Sequence, residues 1–151
     1  MIEYTQDEKF MLLALNEAKK AENEDEVPVG AIIVRNGEVV SCAYNTREYG
    51  KNALYHAEIK AIDEACRVLG GWRLVGCTMY VTLEPCPMCM GAIINSRLGK
   101  VVYGAKDAKA GACGSVIDLR SYPLNHKPQV ESGFMKEECA ALLTKFFKMK
   151  R

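Results

Sequence analysis

Four residues in two short motifs have the types and spacing to do chemistry. They are His56 and Glu58 in His56-Ala57-Glu58, and Cys86 and Cys89 in Pro85-Cys86-Pro87-Met88-Cys89. Cysteines three apart at the start of a helix put both sulfurs on one face. The positive end of the helix dipole lowers thiol pKa and favours the thiolate that a metal needs. Two thiolates form a soft pair suited to zinc. Two ligands do not complete a site, and His56 is the evident third. One His with two Cys leaves a tetrahedral position open, and an open position holds water and marks a catalytic rather than a structural zinc. Zinc lowers the pKa of such a water to about 7, which supplies hydroxide at neutral pH. Glu58 is then a proton shuttle beside the metal, because a fourth protein ligand would leave no place for the water.

This chemistry constrains the elements that carry it. Residues two apart in mid-helix point to nearly opposite sides. His56 and Glu58 therefore face one site only if His56 stands at a helix entrance, and the boundary is expected there. Cys-x-x-Cys alone also fits a redox dithiol or half of a structural zinc site. The redox reading leaves His56 and Glu58 without a role, and Pro87 does not discriminate. A structural Cys3His site needs another thiolate, with Cys42, Cys77 and Cys113 as candidates. His126 reads as an ordinary structural histidine.

The rest of the pattern supplies a frame. Thr5 and Glu8 have capping-box spacing, and Phe10, Leu13, Ala14, Ala18 and Ala21 recur at helical spacing before the charged stretch Glu22 to Glu26. Ala31 to Arg35 and Val39 to Tyr44 are β-branched runs joined by Asn36-Gly37, a strong hairpin signal. A second helix starts near His56, carries Ile59, Ile62, Cys66 and Leu69 on one side, and stops at Gly70-Gly71. Thr78 to Thr82 reads as a strand, Pro87 to Asn95 as a helix with Pro at its first position, and Lys100 to Ala105 as a strand. Asp107 to Ser115 reads as a loop, Gln129 to Glu131 as a short strand, and Met135 to Met149 as an amphipathic helix with Cys139, Leu142, Leu143 and Phe146 on its apolar side. Helices alternating with strands predict a mixed sheet with helices on both faces, the later strands running parallel after helical crossovers.

Composition sets the class. A chain of 151 residues with 49% hydrophobic and 26% charged residues suits a single soluble domain, here 1–151. No apolar run approaches a membrane span, and the N-terminus lacks a secretory pattern, so a cytoplasmic location and no membrane partner are expected. Seven dispersed cysteines argue against a disulfide framework. A net charge of +1 gives no global attraction to nucleic acid, so any polyanion must be held locally. Lys145, Lys148, Lys150 and Arg151 form one local patch, although cations in a last helical turn also simply complement the dipole.

His-x-Glu with Pro-Cys-x-x-Cys is the zinc deaminase signature. The blocks Glu26-Val-Pro-Val-Gly-Ala31, His56-Ala-Glu-Ile59, Tyr80-Val-Thr-Leu-Glu-Pro-Cys-Pro-Met-Cys89, Gly104-Ala-Lys-Asp-Ala-Lys109 and Glu138-Cys-Ala-Ala-Leu-Leu143 with Phe146-Phe147 resemble bacterial tRNA-specific adenosine deaminases, within the zinc-dependent cytidine/deoxycytidylate deaminase superfamily. The resemblance spans nearly the whole chain. It implies a three-layer α/β/α cytidine-deaminase-like fold with a mixed five-stranded sheet, and one Zn2+ per chain. It implies a homodimer that converts adenosine to inosine at the first anticodon position of a tRNA. It further implies that Asn45 hydrogen-bonds the flipped base, Val29 packs on it and Asp107 touches a flanking ribose. Simple core packing for Val29 and a turn role for Asp107 stand beside those readings. Lys106, Lys109, Phe147, Lys148, Lys150 and Arg151 are the candidate RNA contacts in the anticodon loop complex, with Phe146 a weaker stacking candidate because its helical phase points to the core. The apolar residues Met88, Met90, Ile93 and Ile94 look like surplus for one sheet face and add to the homodimer expectation. The residues Ala53-Leu54-Tyr55 depart from the family pattern, and bulky Tyr55 is expected to reshape the pocket rim. A free-base or nucleoside deaminase for guanine or cytidine, and a non-enzymatic zinc or redox module, are the alternative functions.

Overall fold

The computed structural model describes residues 3–150. Helix α1 (Gln6–Asn23) is opened by Thr5, whose hydroxyl accepts from the Glu8 N–H at 3.2 Å while the Glu8 carboxylate accepts from the Thr5 N–H at 2.9 Å. Strands β1 (Gly30–Arg35) and β2 (Glu38–Tyr44) form the expected antiparallel hairpin. Both turn residues have positive φ, 52° at Asn36 and 77° at Gly37, so the turn twists with the strands. Helix α2 (Ala57–Leu69) ends on a left-handed Gly70. Strand β3 (Cys77–Leu83), helix α3 (Pro87–Asn95) and strand β4 (Lys100–Ala105) follow. A 3-10 turn (Leu119–Ser121), strand β5 (Gln129–Ser132) and helix α4 (Lys136–Met149) complete the chain.

The sheet order is β2-β1-β3-β4-β5. Strand β1 is antiparallel to both neighbours, and β3, β4 and β5 pair in parallel. Alternation along β1 sorts the two cores. Ala31 and Ile33 join the Ala57, Ala61 and Ala65 face of α2 and the Met90, Ile93 and Ile94 face of α3. Ile32 and Val34 join Phe10, Met11, Ala14 and Leu15 of α1 and Cys139 of α4. The molecule is thus the expected three-layer α/β/α arrangement.

The structure departs from the sequence reading in four places. Strand β5 is reached without a helical crossover, because residues 106–128 carry only the 3-10 turn. Met135 lies outside α4, taking a left-handed φ of 53° as its N-cap. Met90, Ile93 and Ile94 are not surplus: all three are buried in the chain's own core, and only Met88 of that group is partly exposed. The cover comes from the chain itself: α3 packs on α2 and on the 3-10 turn, and its apolar side chains join those of β1, β3 and β4 in one core. Finally, Tyr55 does not line the catalytic cleft. Its ring lies over Gly50 and stands 6.0 Å from the Lys60 ammonium, beside a second cavity at the β2 edge. Arg151 lies outside the described residues.

Candidate active site

The metal-ligating side chains come from two helix entrances on the same face of the sheet. His56 is the N-cap of α2, with extended dihedrals (φ −69°, ψ 153°), so its side chain leaves the helical course that Glu58 follows two residues later. Cys86 is the N-cap of α3 and Pro87 occupies the first turn. The Nδ1 atom of His56 lies 3.6 Å from Cys86 Sγ and 3.5 Å from Cys89 Sγ. All three donor atoms fall within 4.8 Å of one another, and they are the one such group among the described residues. Tetrahedral zinc, with Zn–S of about 2.3 Å and Zn–N of about 2.0 Å, sets sulfur and nitrogen about 3.5 Å apart. The observed spacing fits that ion. The extra thiolate of a structural site is missing from the group: Cys42 is exposed, and Cys113 donates to Met90 Sδ at 3.6 Å.

The electrostatics differ from a simple pair of dipole-activated thiolates. The Cys89 thiol donates to Cys86 and, with the nearby His56, holds Cys86 down to about 4 despite its burial. Cys89 itself is pushed far up by that same donation, by burial and by the Glu58 charge. One proton is therefore shared between the sulfurs, and a divalent cation is what allows both to ionise. His56 is raised by its bond to Cys86. Glu58 is 4% exposed, and burial pushes its carboxyl up to about 7, the range a proton shuttle at neutral pH requires.

The cluster floors a cleft of about 570 Å³ lined by Val27, Val29, Asn45, Arg47, His56, Glu58 and Cys86 on one side and by Leu83, Glu84, the 106–110 loop, Leu143 and Phe147 on the other. Val29, Asn45, Lys106, Asp107, Lys109 and Phe147 are thus brought to one cleft, as the sequence reading required. Asn45 is buried; its amide donates to the Val27 carbonyl at 3.2 Å and its carbonyl accepts from the Arg47 N–H at 3.1 Å. An amide holds two N–H groups and two lone pairs, so one of each is left for a ligand. The Asp107 carboxylate accepts from the Lys109 and Ala110 N–H groups, a turn role. Phe147 is 51% exposed in the cleft wall, while Phe146 is buried and meets it edge-on at 5.4 Å. Lys145 and Lys148 are exposed and do not line the cleft. Lys150 is drawn to Asp25, 2.6 Å away.

Three residues escaped the sequence reading. Arg47 enters the cleft from the loop after β2, where no periodicity signals it. Two buried carboxylates hold the loops that wall the cleft. Glu26 accepts from the Glu48 and Tyr49 N–H groups at 3.0 and 2.6 Å. Glu84 accepts from the Asp107, Cys113 and Ser115 N–H groups and from the Ser115 hydroxyl. Burial alone would raise the Glu84 carboxyl, but these bonds outweigh it and hold it below the usual carboxylate range.

Residues 4–105 match the cytidine and deoxycytidylate deaminase zinc-binding region. The chain is 52% identical over 145 residues to a tRNA-specific adenosine deaminase of Bacillus subtilis, covering 95% of this chain and 90% of the relative. It superposes with a TM-score of 0.87 and 44% identity on a structure from work on A-to-I editing by tRNA:A34 deaminases at the wobble position of transfer RNA, covering 89% of this chain and 99% of the other. A guanine deaminase from Nitrosomonas europaea is more distant, with a TM-score of 0.78 and 25% identity over 92% of this chain and 83% of the other. The zinc-spaced His56, Cys86 and Cys89 group, the buried Glu58 beside it and the full-length likeness together make this chain a member of the cytidine and deoxycytidylate deaminase zinc-binding family, on the branch of the tRNA-specific adenosine deaminases.

Proposed function

We propose that this chain hydrolyses adenosine to inosine and ammonia at the first anticodon position of a tRNA. The observation that carries this reading is a three-donor zinc-type site at the bottom of a cleft whose outer walls bear Arg47, Lys106, Lys109 and an exposed Phe147. A free base needs the floor but has no phosphates for such a rim. Bases of an anticodon loop are already partly unstacked, so extruding one costs little.

His56, Cys86 and Cys89 would hold the zinc, which when bound supplies the Lewis acidity that makes water a nucleophile at neutral pH. Glu58 accepts the proton that water loses as its oxygen bonds to C6 of the purine, and passes it to N1. It then carries the second proton to the departing amine, so that the C6–N bond breaks and ammonia leaves. Burial beside the sulfurs keeps Glu58 near the pKa that both transfers need. Asn45 offers its remaining N–H and lone pair to the purine edge, Val29 packs on the base, and Asp107 stands near a flanking ribose.

The deaminase domain spans 1–151 and works in the cytoplasm. The described residues include no helix long and apolar enough to cross a membrane. A homodimer is part of the proposal. Support now comes from exposed Val68 and Trp72, on and just after α2, together with the partly exposed Met88. The test is incubation of the protein with tRNA anticodon stem-loops, free guanine and cytidine, with products separated by chromatography. Inosine from the stem-loop supports the reading; xanthine or uridine with an untouched stem-loop replaces it by the small-molecule alternative. A monomeric mass at micromolar concentration would remove the dimer.

A further inference from the structure

Glu84 has no place in the proton chemistry, yet it is among the most thoroughly engaged side chains in the molecule. It is 1% exposed and lies between the end of β3 and Cys86, on the segment that delivers two metal ligands. One carboxylate oxygen accepts from the Asp107 N–H at 3.0 Å and from the Ser115 hydroxyl; the other accepts from the Cys113 N–H at 2.9 Å and the Ser115 N–H at 3.2 Å. Backbone bonds continue the attachment, from Glu84 N–H to the Ala105 carbonyl and from Ala112 N–H to the Pro85 carbonyl, both at 2.8 Å. The 107–115 loop is therefore wrapped around one carboxylate. It approaches so closely that a Cβ at Gly111 would sit 2.4 Å from the Glu84 carboxyl carbon. The outer side of the same loop, Asp107 to Ala110, walls the catalytic cleft.

We propose that Glu84 is a positioning residue, which fixes the 107–110 wall relative to the metal ligands and so sets how the substrate strand is held. A single residue, Pro85, separates Glu84 from Cys86, so the wall and the metal floor are referenced to one rigid segment. The loop itself has no helix or strand to hold it; its only element is the isolated bridge from Cys113 to Asp118. A buried carboxylate that accepts several N–H bonds orders such a backbone far better than solvent does. The consequence for catalysis rests on the deaminase reading above. The consequence for the loop does not.

Glu84→Gln tests it, because an amide has one acceptor oxygen. In either orientation its NH2 group meets at least one backbone N–H among Asp107, Cys113 and Ser115. Gly111→Ala presses a methyl group against the carboxylate and displaces the same loop while leaving the carboxylate's charge and both acceptor oxygens in place, and Ser115→Ala removes one donor only. Amide hydrogen exchange of 107–115, zinc content, the visible spectrum of the cobalt-substituted protein, and kcat and KM with an anticodon stem-loop are measured on all three. We expect exchange in 107–115 to quicken at least about tenfold in the first two variants, with one zinc per chain and an unchanged cobalt spectrum. We expect kcat/KM to fall about 10–100-fold, chiefly through KM, as for other groups that orient a site from behind. Ser115→Ala should show the same pattern more weakly. Wild-type exchange and wild-type KM in Glu84→Gln and Gly111→Ala overturn the proposal, as does loss of zinc or a shifted cobalt spectrum, which would put Glu84 to work on the metal set. If Glu84→Gln does not fold, Gly111→Ala and Ser115→Ala decide it. If the wild type leaves the stem-loop untouched, the substrate reading fails, and the exchange data decide the clamp alone.

Discussion

Replacing Glu58 by Gln should abolish turnover while leaving metal and fold in place. The side chain is buried, on the first turn of α2, and Gln keeps its volume. What is lost is one group that takes a proton and gives it back. General acid–base groups contribute about 10²–10⁴-fold. The cleft indicates which end of that range applies. Its other carboxylates are Glu84 and Asp107, and both are committed to backbone N–H groups of the 107–115 loop. His56 turns Nδ1 to the two sulfurs. Asn45 has no titratable proton, and Arg47 does not release its own. No neighbour is free to take over, so a loss near 10⁴-fold in kcat is expected, about 5 kcal/mol of barrier at about 1.36 kcal/mol per tenfold. Relief of a buried carboxyl should leave the melting temperature equal or higher. Single-turnover inosine formation, elemental analysis and thermal unfolding are measured on the same preparation. A fall of less than tenfold refutes the proton role, and zinc lost together with activity shows Glu58 to be a ligand.

Other consequences follow from the same geometry. Cys89→Ala should bind less than one zinc per chain, because two remaining donors do not make a stable site; full zinc by elemental analysis would refute the ligand set. Gly30→Ala should destabilise the fold by about 3 kcal/mol or more through overpacking, since the new Cβ would lie 2.0 Å from the Ala14 carbonyl oxygen and 2.6 Å from the Ala18 nitrogen of α1. A urea midpoint unchanged from wild type would show that α1 yields freely. Neutralising Lys148, Lys150 and Arg151 together should weaken stem-loop binding and flatten its salt dependence, by nearer two units of log–log slope than about three, because Lys150 is held by Asp25. Unchanged binding at moderate salt would make the patch a solvated helix end.

The two halves of the cleft differ in how far the sequence exposes them. The metal floor is legible because each motif is local. Cys86 and Cys89 share one helix face by their spacing, and His56 and Glu58 require a helix boundary that the backbone indeed adopts at φ −69°, ψ 153°. The hairpin is legible for the same reason, through Asn36-Gly37. Where the reading failed, packing that no residue spacing encodes decided the outcome. The apolar side of α3 looked uncovered because nothing local shows that the 3-10 turn, more than twenty residues further on, packs against it. Tyr55 looked like a rim residue because its ring's resting place, over Gly50 and toward Lys60, is set by a loop fold.

Glu26 and Glu84 illustrate the limit most clearly. Their partners are backbone N–H groups 22 to 31 residues away, and a backbone N–H has no residue type to recognise. A carboxylate beside Pro85 therefore reads as one more polar residue until the loop that closes on it is seen. Loop closure over such a separation costs entropy that grows slowly with length, so a few charge-assisted bonds to one buried group suffice to hold a wall that has no helix or strand of its own. Chemistry written in short spacings can then remain fixed while the walls, each attached at a single carboxylate, change with the loop. On this view a change of substrate within the fold needs alterations at the loops held by Glu26 and Glu84, and none at His56, Glu58, Cys86 or Cys89.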